Sequence, residues 1–279
     1  MNKSTRDEAT HRVREFYDGP ADTIYKTTWG ENLHLAVPRG DGESGRDAAE
    51  HTTELMAAQS GLNADARVLD LGCGYGGPAR FLASRFGCRV SGLNLSRVEI
   101  EEAQRLTRET QHAKLVNFDE GDFHELPYPD ASFEVVWSQD SLMYGASKST
   151  ILAETLRVLK PGGRMVFTDI LASRDLDPDV RTKLYARVRT PEMWDTERYL
   201  NELIDLGFKI RRVEDWSQHV AASYAWARKQ TSEKREALEA GVGPDLVQAT
   251  LDGLAFWVGM AEQGHVGWSF IVAQKIGPR

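Results

Sequence analysis

Residues 67–77 read RVLDLGCGYGG, an apolar run that ends in four glycines within six positions, Gly72, Gly74, Gly76 and Gly77. A short apolar run bounded by such a turn reads as a buried strand. The glycines permit backbone turns at positive φ, and with no Cβ they let the chain pass very close to another molecule. Strand, glycine turn and helix in that order open a parallel α/β sheet, so this stretch restricts the fold more than any other. The alternation continues downstream. PARFLASRFG (78–87) has apolar residues at helical spacing and stops at Gly87, and CRVSGLNL (88–95) reads as a second strand. SRVEIEEAQRLTRET (96–110) opens on Ser96 with Glu99 three residues later, the pattern of a capping box. LVNFDEGD, FEVVWSQD and GRMVFTDI supply strands three to five, with a short helix at 149–160 before a KPGG turn. Five strands in this order predict a doubly wound α/β fold with helices on both faces of the sheet.

Past the fifth strand the pattern changes. TERYLNELIDLGF (196–208) predicts a covering helix that ends at Gly207, and KIRRVEDW (209–216) a sixth strand, yet the seventh, VGWSFIVAQKI, begins only at 266. Between them, residues 217–264 are helix-forming and carry Tyr224, Trp226, Phe256 and Trp257. They read as a helical cap inserted between strands six and seven, and antiparallel final strands would carry it over the carboxyl ends of the parallel strands. Its aromatic residues fit either a small core of the cap itself or a cover over a ligand. The expected organisation is one domain over 1–279, with a helical lid segment at 1–60, a core at 61–216 and 265–279, and the cap at 217–264. AVPRGDGESGRD (36–47) reads as a flexible loop.

Composition narrows the partners. A formal net charge of −8 disfavours non-specific attraction to phosphate backbones or anionic membranes, so nucleic acid and membrane are not expected partners. The longest apolar stretches, such as LAFWVGMA at 254–261, fall well short of a span, and the charged first sixteen residues have no signal-peptide pattern, which makes the cytoplasm the expected location. Cys73 and Cys88 form no disulfide or metal framework, and the seven histidines lack metal-ligand spacing, so no protein-bound metal is expected. Association of identical copies is left open.

Two ligands fit the glycine loop. G-x-G-x-x-G at Gly72, Gly74 and Gly77 matches the dinucleotide fingerprint. D-x-G-x-G from Asp70 to Gly74 matches the loop that holds S-adenosylmethionine. A dinucleotide site aims its turn and helix at a pyrophosphate, whereas S-adenosylmethionine offers an amino-acid end, a ribose, an adenine and a sulfonium. Asp70, at the end of strand one, can hold an ammonium, a task a nicotinamide site does not pose. Asn94 sits where ribose hydroxyls are met and separates the two readings poorly. Asp122 and Phe123 suit an adenine amino group and its ring, although the same pair also makes a plain Asx turn beside a core phenylalanine. Tyr144 and Lys148 form the Y-x-x-x-K of short-chain dehydrogenases, but Gly145 interrupts the helix that pairing needs. A nicotinamide-dependent oxidoreductase is thus the competing function.

Asp70-Leu71-Gly72-Cys73-Gly74, Asn94, Gly121-Asp122-Phe123, WSQDS (137–141) and Leu159-Lys160-Pro161-Gly162-Gly163 occur in the order and spacing of class I methyltransferases, which the chain resembles over 62–170. FYDGPADTIYKTTWGENLHL (16–35), GLNLS (92–96), VFTDI (166–170), GLAFWV and VGWSF extend the likeness to a narrower group, the sarcosine/dimethylglycine N-methyltransferases that make glycine betaine. The resemblance implies a Rossmann-like, seven-stranded, mostly parallel sheet, S-adenosylmethionine as cofactor, and a small amine or amino acid as acceptor. It places Tyr17, Tyr25, Trp29, Asp70, Gly72, Cys73, Gly74, Asn94, Leu95, Asp122, Phe123, Ser138, Gln139 and Met143 around the cofactor. Where the group usually carries F-L-H-S after WSQD-(A/S), this chain has Leu142-Met143-Tyr144-Gly145, a tyrosine in the histidine's place. That departure keeps another acceptor in play, an N, O or C atom of a natural product. Tyr25, Trp29, Tyr144, Trp257 and Trp268 are candidate walls for a methylated cation. Arg187, with Arg189 as second choice, is the candidate for an acceptor carboxylate, and His34 for a substrate oxygen.

Overall fold

The computed structural model describes residues 3–40 and 43–277. Three helices come first, α1 (Lys3–Tyr17), α2 (Pro20–Trp29) and α3 (Gly45–Ala57). The alternating part follows as β1 (Arg67–Leu71), α4 (Gly77–Phe86), β2 (Arg89–Asn94), α5 (Arg97–Arg108), β3 (Val116–Glu120), β4 (Phe133–Gln139), α6 (Lys148–Val158) and β5 (Leu159–Ala172). Then come α7 (Pro178–Val188), α8 (Thr196–Asp205), β6 (Phe208–Asp215), α9 (Val220–Glu233), α10 (Arg235–Val242), α11 (Pro244–Glu262) and β7 (Val266–Lys275).

The seven strands form one sheet in the order β3-β2-β1-β4-β5-β7-β6. Pairing is parallel from β3 through β5, while β7 runs antiparallel to both β5 and β6. The direction of winding reverses between β1 and β4, and in open α/β sheets the crevice at that reversal is where ligands sit. β1 reads as an unbroken apolar run because it is covered on both faces. Val68, Val90, Val135 and Trp137 face one core, whereas Leu69, Leu71, Leu93 and Val136 face the other.

Two local expectations are refined. The KPGG stretch lies within the span of β5, with Gly162 at φ +82°. The pairing there jumps from Phe133↔Leu159 to Val135↔Arg164, so residues 160–163 leave the ladder in a turn-like excursion after α6. The loop read at 36–47 is shorter, because Ser44 caps α3 by accepting a hydrogen bond from the Asp47 amide (3.2 Å). Residues 41 and 42 of that loop lie outside the described residues.

The helices between β6 and β7 have two kinds of packing. Tyr224, Ala227, Leu254 and Trp257 join the main core, and Ile24 of α2 joins Leu238, Val247 and Leu251 in a smaller one. α2 is also tied to α9 by the Thr28 and Thr231 hydroxyls, 3.0 Å apart. No helix among the described residues is long and apolar enough to cross a membrane.

Candidate active site

A cavity opens at the carboxyl ends of the first four strands. Its floor is the turn after β1. Gly72, Gly74 and Gly76 adopt φ of +75°, +50° and +75°, which only glycine takes without strain. The Gly72 and Cys73 amides both donate to the Leu93 carbonyl (2.8 and 3.2 Å), which fixes the turn against β2. Cys73 borders the cavity, but burial raises its thiol well above the ordinary range, so it is no nucleophile.

Three buried side chains on this floor have polar atoms without a partner among the described residues: Asp70 Oδ2, Glu99 Oε1 and Gln139 Nε2. Gln139 is oriented by Trp137 Nε1 and Thr53, which donate to its Oε1 at 3.0 and 3.3 Å. That leaves its amide N–H free. Asn94 donates to Glu99 Oε2, so α5 delivers to the end of β2 the carboxylate that the strand itself lacks. Burial raises Asp70 to about 7 and Glu99 to about 8.

Those shifts fix the sign of a pH effect. Between the ordinary carboxylate range and about pH 8 these two carboxyls bind more protons in the folded, ligand-free protein than in the unfolded chain, so the stability they contribute is greatest on the acid side of this window and falls as pH rises, while His34, lowered to about 4 by burial, opposes them below its ordinary value. Asp140, raised to about 6 by burial, acts in the same direction as the two carboxyls. The melting temperature of the ligand-free protein should therefore fall between roughly pH 5 and pH 8, and less steeply in Asp70→Asn. A flat or rising profile across that window would contradict the assigned burial.

At the far end of the crevice, Phe123 and Asp122 border the cavity. Asp122 Oδ1 accepts from the His124 amide (2.9 Å) as an Asx turn does, so the structural reading of this pair holds alongside its place at the cavity. His124 is fully engaged, since its Nε2 accepts from the Ser147 amide at 3.0 Å.

A second, smaller chamber adjoins the first, and Tyr17, Leu33, His34, Asp140 and Tyr144 border both. Tyr25, Trp29, Tyr224 and Arg187 also border it, with Leu35, Ile170 and Val188. Tyr25 and Trp29, expected at the cofactor, thus border the smaller chamber and not the larger one. Tyr17 and Tyr144 meet edge to face with centroids 5.4 Å apart. Burial raises both phenols, which stay protonated near neutrality. Arg187 lies over the rings of Tyr224 (5.4 Å) and Trp257 (5.2 Å), and it forms no ion pair among the described residues. Its second-choice neighbour Arg189 is exposed, at φ +56°, above Phe16.

Asp140 ties the neck together. It takes φ +54°, a conformation aspartate tolerates better than most residues, and its carboxylate accepts from the Leu35 amide (2.8 Å) and from Trp268 Nε1 (2.7 Å). Trp268 is therefore a support behind the wall, committed to Asp140, and not a wall itself. Trp257 likewise stands one layer back, fully buried beneath Tyr224 (5.0 Å). Ser138 and Met143, expected at the cofactor, border neither chamber. Ser138 Oγ donates to the Leu71 carbonyl (3.0 Å), clamping β4 to β1, and the Met143 amide donates to Asp169 (3.0 Å).

Lys148 does not pair with Tyr144. Its ammonium donates to the carbonyls of Met143, Gly145 and Glu192 at 3.2, 3.3 and 2.6 Å, so it braces the turn that carries Tyr144. The dehydrogenase reading of Y-x-x-x-K loses its geometry. Glu99, Asp140, Leu33 and Tyr224 were not assigned to the site from sequence. Glu99 had a signal, an acidic residue in the first turn of α5, but the capping pattern accounted for it.

Strand order, an antiparallel β7 between β5 and β6, and a glycine turn under a crevice define a class I methyltransferase fold. Residues 69–167 match the family model described as "Methyltransferase domain". The chain is 32% identical over 272 residues to the sarcosine/dimethylglycine N-methyltransferase of Halorhodospira halochloris, covering 96% of this chain and 98% of that protein. It is 28% identical to the 27-O-demethylrifamycin SV methyltransferase of Amycolatopsis mediterranei (strain S699), covering 99% of both. A crystal structure from Galdieria sulphuraria, described as a sarcosine dimethylglycine methyltransferase, superposes with a TM-score of 0.87 at 25% identity, covering 95% of this chain and all of that one. The chain belongs to the S-adenosylmethionine-dependent small-molecule methyltransferases and, within them, is related to the sarcosine/dimethylglycine N-methyltransferases.

The cavity fits the cofactor on its own evidence. Asp70 Oδ2 and Glu99 Oε1 would suit an ammonium or hydroxyl groups and Gln139 Nε2 a carboxylate, and each lacks a protein partner among the described residues.

Proposed function

We propose that the chain methylates the amine of a small amino acid of the sarcosine or dimethylglycine type, with the larger cavity holding S-adenosylmethionine and the smaller chamber the acceptor. Arg187 is the observation that carries this reading. A guanidinium packed against two aromatic rings, in a chamber whose carboxylate, Asp140, is committed to Leu35 and Trp268 and forms no ion pair with it, suits an acceptor that brings its own carboxylate. Asp70, Asn94, Glu99 and Gln139 are assigned to the polar ends of the cofactor, Leu95, Asp122 and Phe123 to its adenosine, and Gly72 to Gly74 to its close approach. When bound, the cofactor supplies an electrophilic methyl group on a sulfonium.

The residues of the chain then act by position. Tyr17, Tyr25, Trp29, Tyr144 and Tyr224 exclude water and present ring faces to a nitrogen that becomes cationic, each contributing about 0.5–2 kcal/mol. Arg187 sets the distance of the amine from the cofactor by holding the far end of the acceptor, and such orientation provides most of the acceleration in a displacement of this kind. The protonated phenol of Tyr144 is no base, and a neutral tertiary amine needs none.

Tyr25 and Trp29 of α2 and Tyr224 of α9 support the reading of a lid and cap over the acceptor chamber. A second reading, methylation of another small-molecule acceptor, is favoured by the relative named for 27-O-demethylrifamycin SV. Radiolabelled methyl transfer to glycine, sarcosine, dimethylglycine and a panel of hydroxylated natural products separates the two. Turnover confined to the amino acids is expected, and turnover confined to the natural products would replace the first reading with the second.

A further inference from the structure

His34 borders both chambers and is almost completely buried. Its Nδ1 lies 2.8 Å from the carbonyl of Leu35, and because a carbonyl only accepts, Nδ1 carries the hydrogen. The tautomer is thereby fixed, and Nε2 is left as a lone-pair acceptor. That Nε2 has no partner among the described residues. Burial lowers the imidazole to about 4, so it stays neutral and its lone pair stays available. Asp140, which also borders both chambers, already accepts from Leu35 and Trp268. A buried acceptor at the junction of cofactor and substrate sites, without a donor from the chain, calls for a donor that arrives with the substrate.

We infer that His34 Nε2 accepts a hydrogen bond from an N–H or O–H on the reacting atom of the methyl acceptor, and that the enzyme therefore favours a proton-bearing acceptor, such as a secondary amine, over a fully substituted one. A neutral secondary amine has one N–H and one lone pair. Binding the first to His34 turns the second toward the cofactor cavity. A neutral tertiary amine has no N–H, so its binding leaves Nε2 buried and unpaired, and a site built to bond an N–H discriminates against the analogue without it. His34 is a positioning and selecting group here, not a base. The inference rests on the amino-acid reading above, and it specifies which step of successive methylation the chain performs best.

The test compares sarcosine with dimethylglycine in wild type and in His34→Phe, which keeps a ring and removes both nitrogens. Wild type should show kcat/KM for sarcosine on the order of tenfold or more above that for dimethylglycine. In His34→Phe this preference should collapse toward unity by loss of activity on sarcosine. Calorimetric titration of the cofactor-free protein supplies a second readout. Sarcosine should bind more weakly to the variant, while glycine betaine, which has no N–H in any protonation state, should bind both proteins alike. An equal fold loss on all three ligands would overturn the inference. If His34→Phe does not fold, the wild-type ratio decides, and a preference for dimethylglycine overturns it. If neither amino acid is methylated but a hydroxylated acceptor is, the amino-acid reading fails separately. The same comparison is then made between that alcohol and its methyl ether, where weaker binding in the variant confined to the alcohol supports His34 and equal weakening refutes it.

Discussion

Replacement of Gly72 by alanine should abolish cofactor binding and destabilise the fold by about 2–4 kcal/mol, the sum of an enforced left-handed backbone and a steric clash. Gly72 lies at φ +75°, and a Cβ there would sit 2.4 Å from both Cβ and Oγ of Ser141 and 3.1 Å from the ring of Phe123. Ser141 cannot retreat cheaply, because its hydroxyl is shared between the carbonyls of Gly72 (3.1 Å) and Gln139 (3.0 Å). The methyl group would therefore push apart the first strand's turn and the segment after β4, which are the two sides of the crevice. Differential scanning fluorimetry should show a melting temperature lower by roughly 10 °C and no upward shift with S-adenosylhomocysteine. Gly241→Ala is the control. It lies in α10 with nothing within 4 Å of the added Cβ, and alanine there should be neutral or stabilising by about 0.5–1 kcal/mol. A Gly72→Ala protein that still gains stability from the ligand would show that the turn does not form the cofactor floor.

Much of this was legible in the sequence because it depends on local rules. The βα alternation followed from apolar periodicity and glycine stops, and Ser96 does cap α5, its Oγ accepting from the Glu99 amide at 3.2 Å, although the Glu99 carboxylate turns to Asn94 and does not reach back to close the capping box. The Asp70 to Gly74 motif lies where a strand end and a turn must lie. What the sequence concealed depends on contacts between distant segments. Nothing local to Trp268 says that its indole binds Asp140, 128 positions away, so it read as a wall when it is a support. Glu99 satisfied the capping pattern through its backbone amide, which masked the separate use of its carboxylate beside Asn94. Tyr224 was one of several aromatics in a helical insertion, and only the packing of α9 on α11 separates it from the buried Trp257 behind it.

Arg187→Met should raise KM for an amino-acid acceptor about 100-fold or more, because the carboxylate would then be desolvated in an aromatic chamber without its cation. Methionine keeps the length and the contact with the rings, so packing against Tyr224 and Trp257 should survive and the melting temperature should change little. Affinity for S-adenosylhomocysteine should be unchanged, since Arg187 borders only the smaller chamber. Arg187→Lys should fall between the two, keeping the charge but losing the planar fork and its stacking. The acceptor offers the complementary change. Sarcosinamide has the same amine without the carboxylate, so wild type should use it poorly and Arg187→Met should handle it about as well as wild type does. This cycle isolates the guanidinium–carboxylate interaction from any general damage. Gly253 of α11 provides an independent approach, because a Cβ there would stand 3.1 Å from Cδ and Nε of Arg187. Gly253→Ala should displace the guanidinium without removing it and raise KM for sarcosine while leaving KM for sarcosinamide alone. Equal losses on acid and amide in both variants would remove Arg187 from the acceptor site and, with it, the ground for an amino-acid substrate.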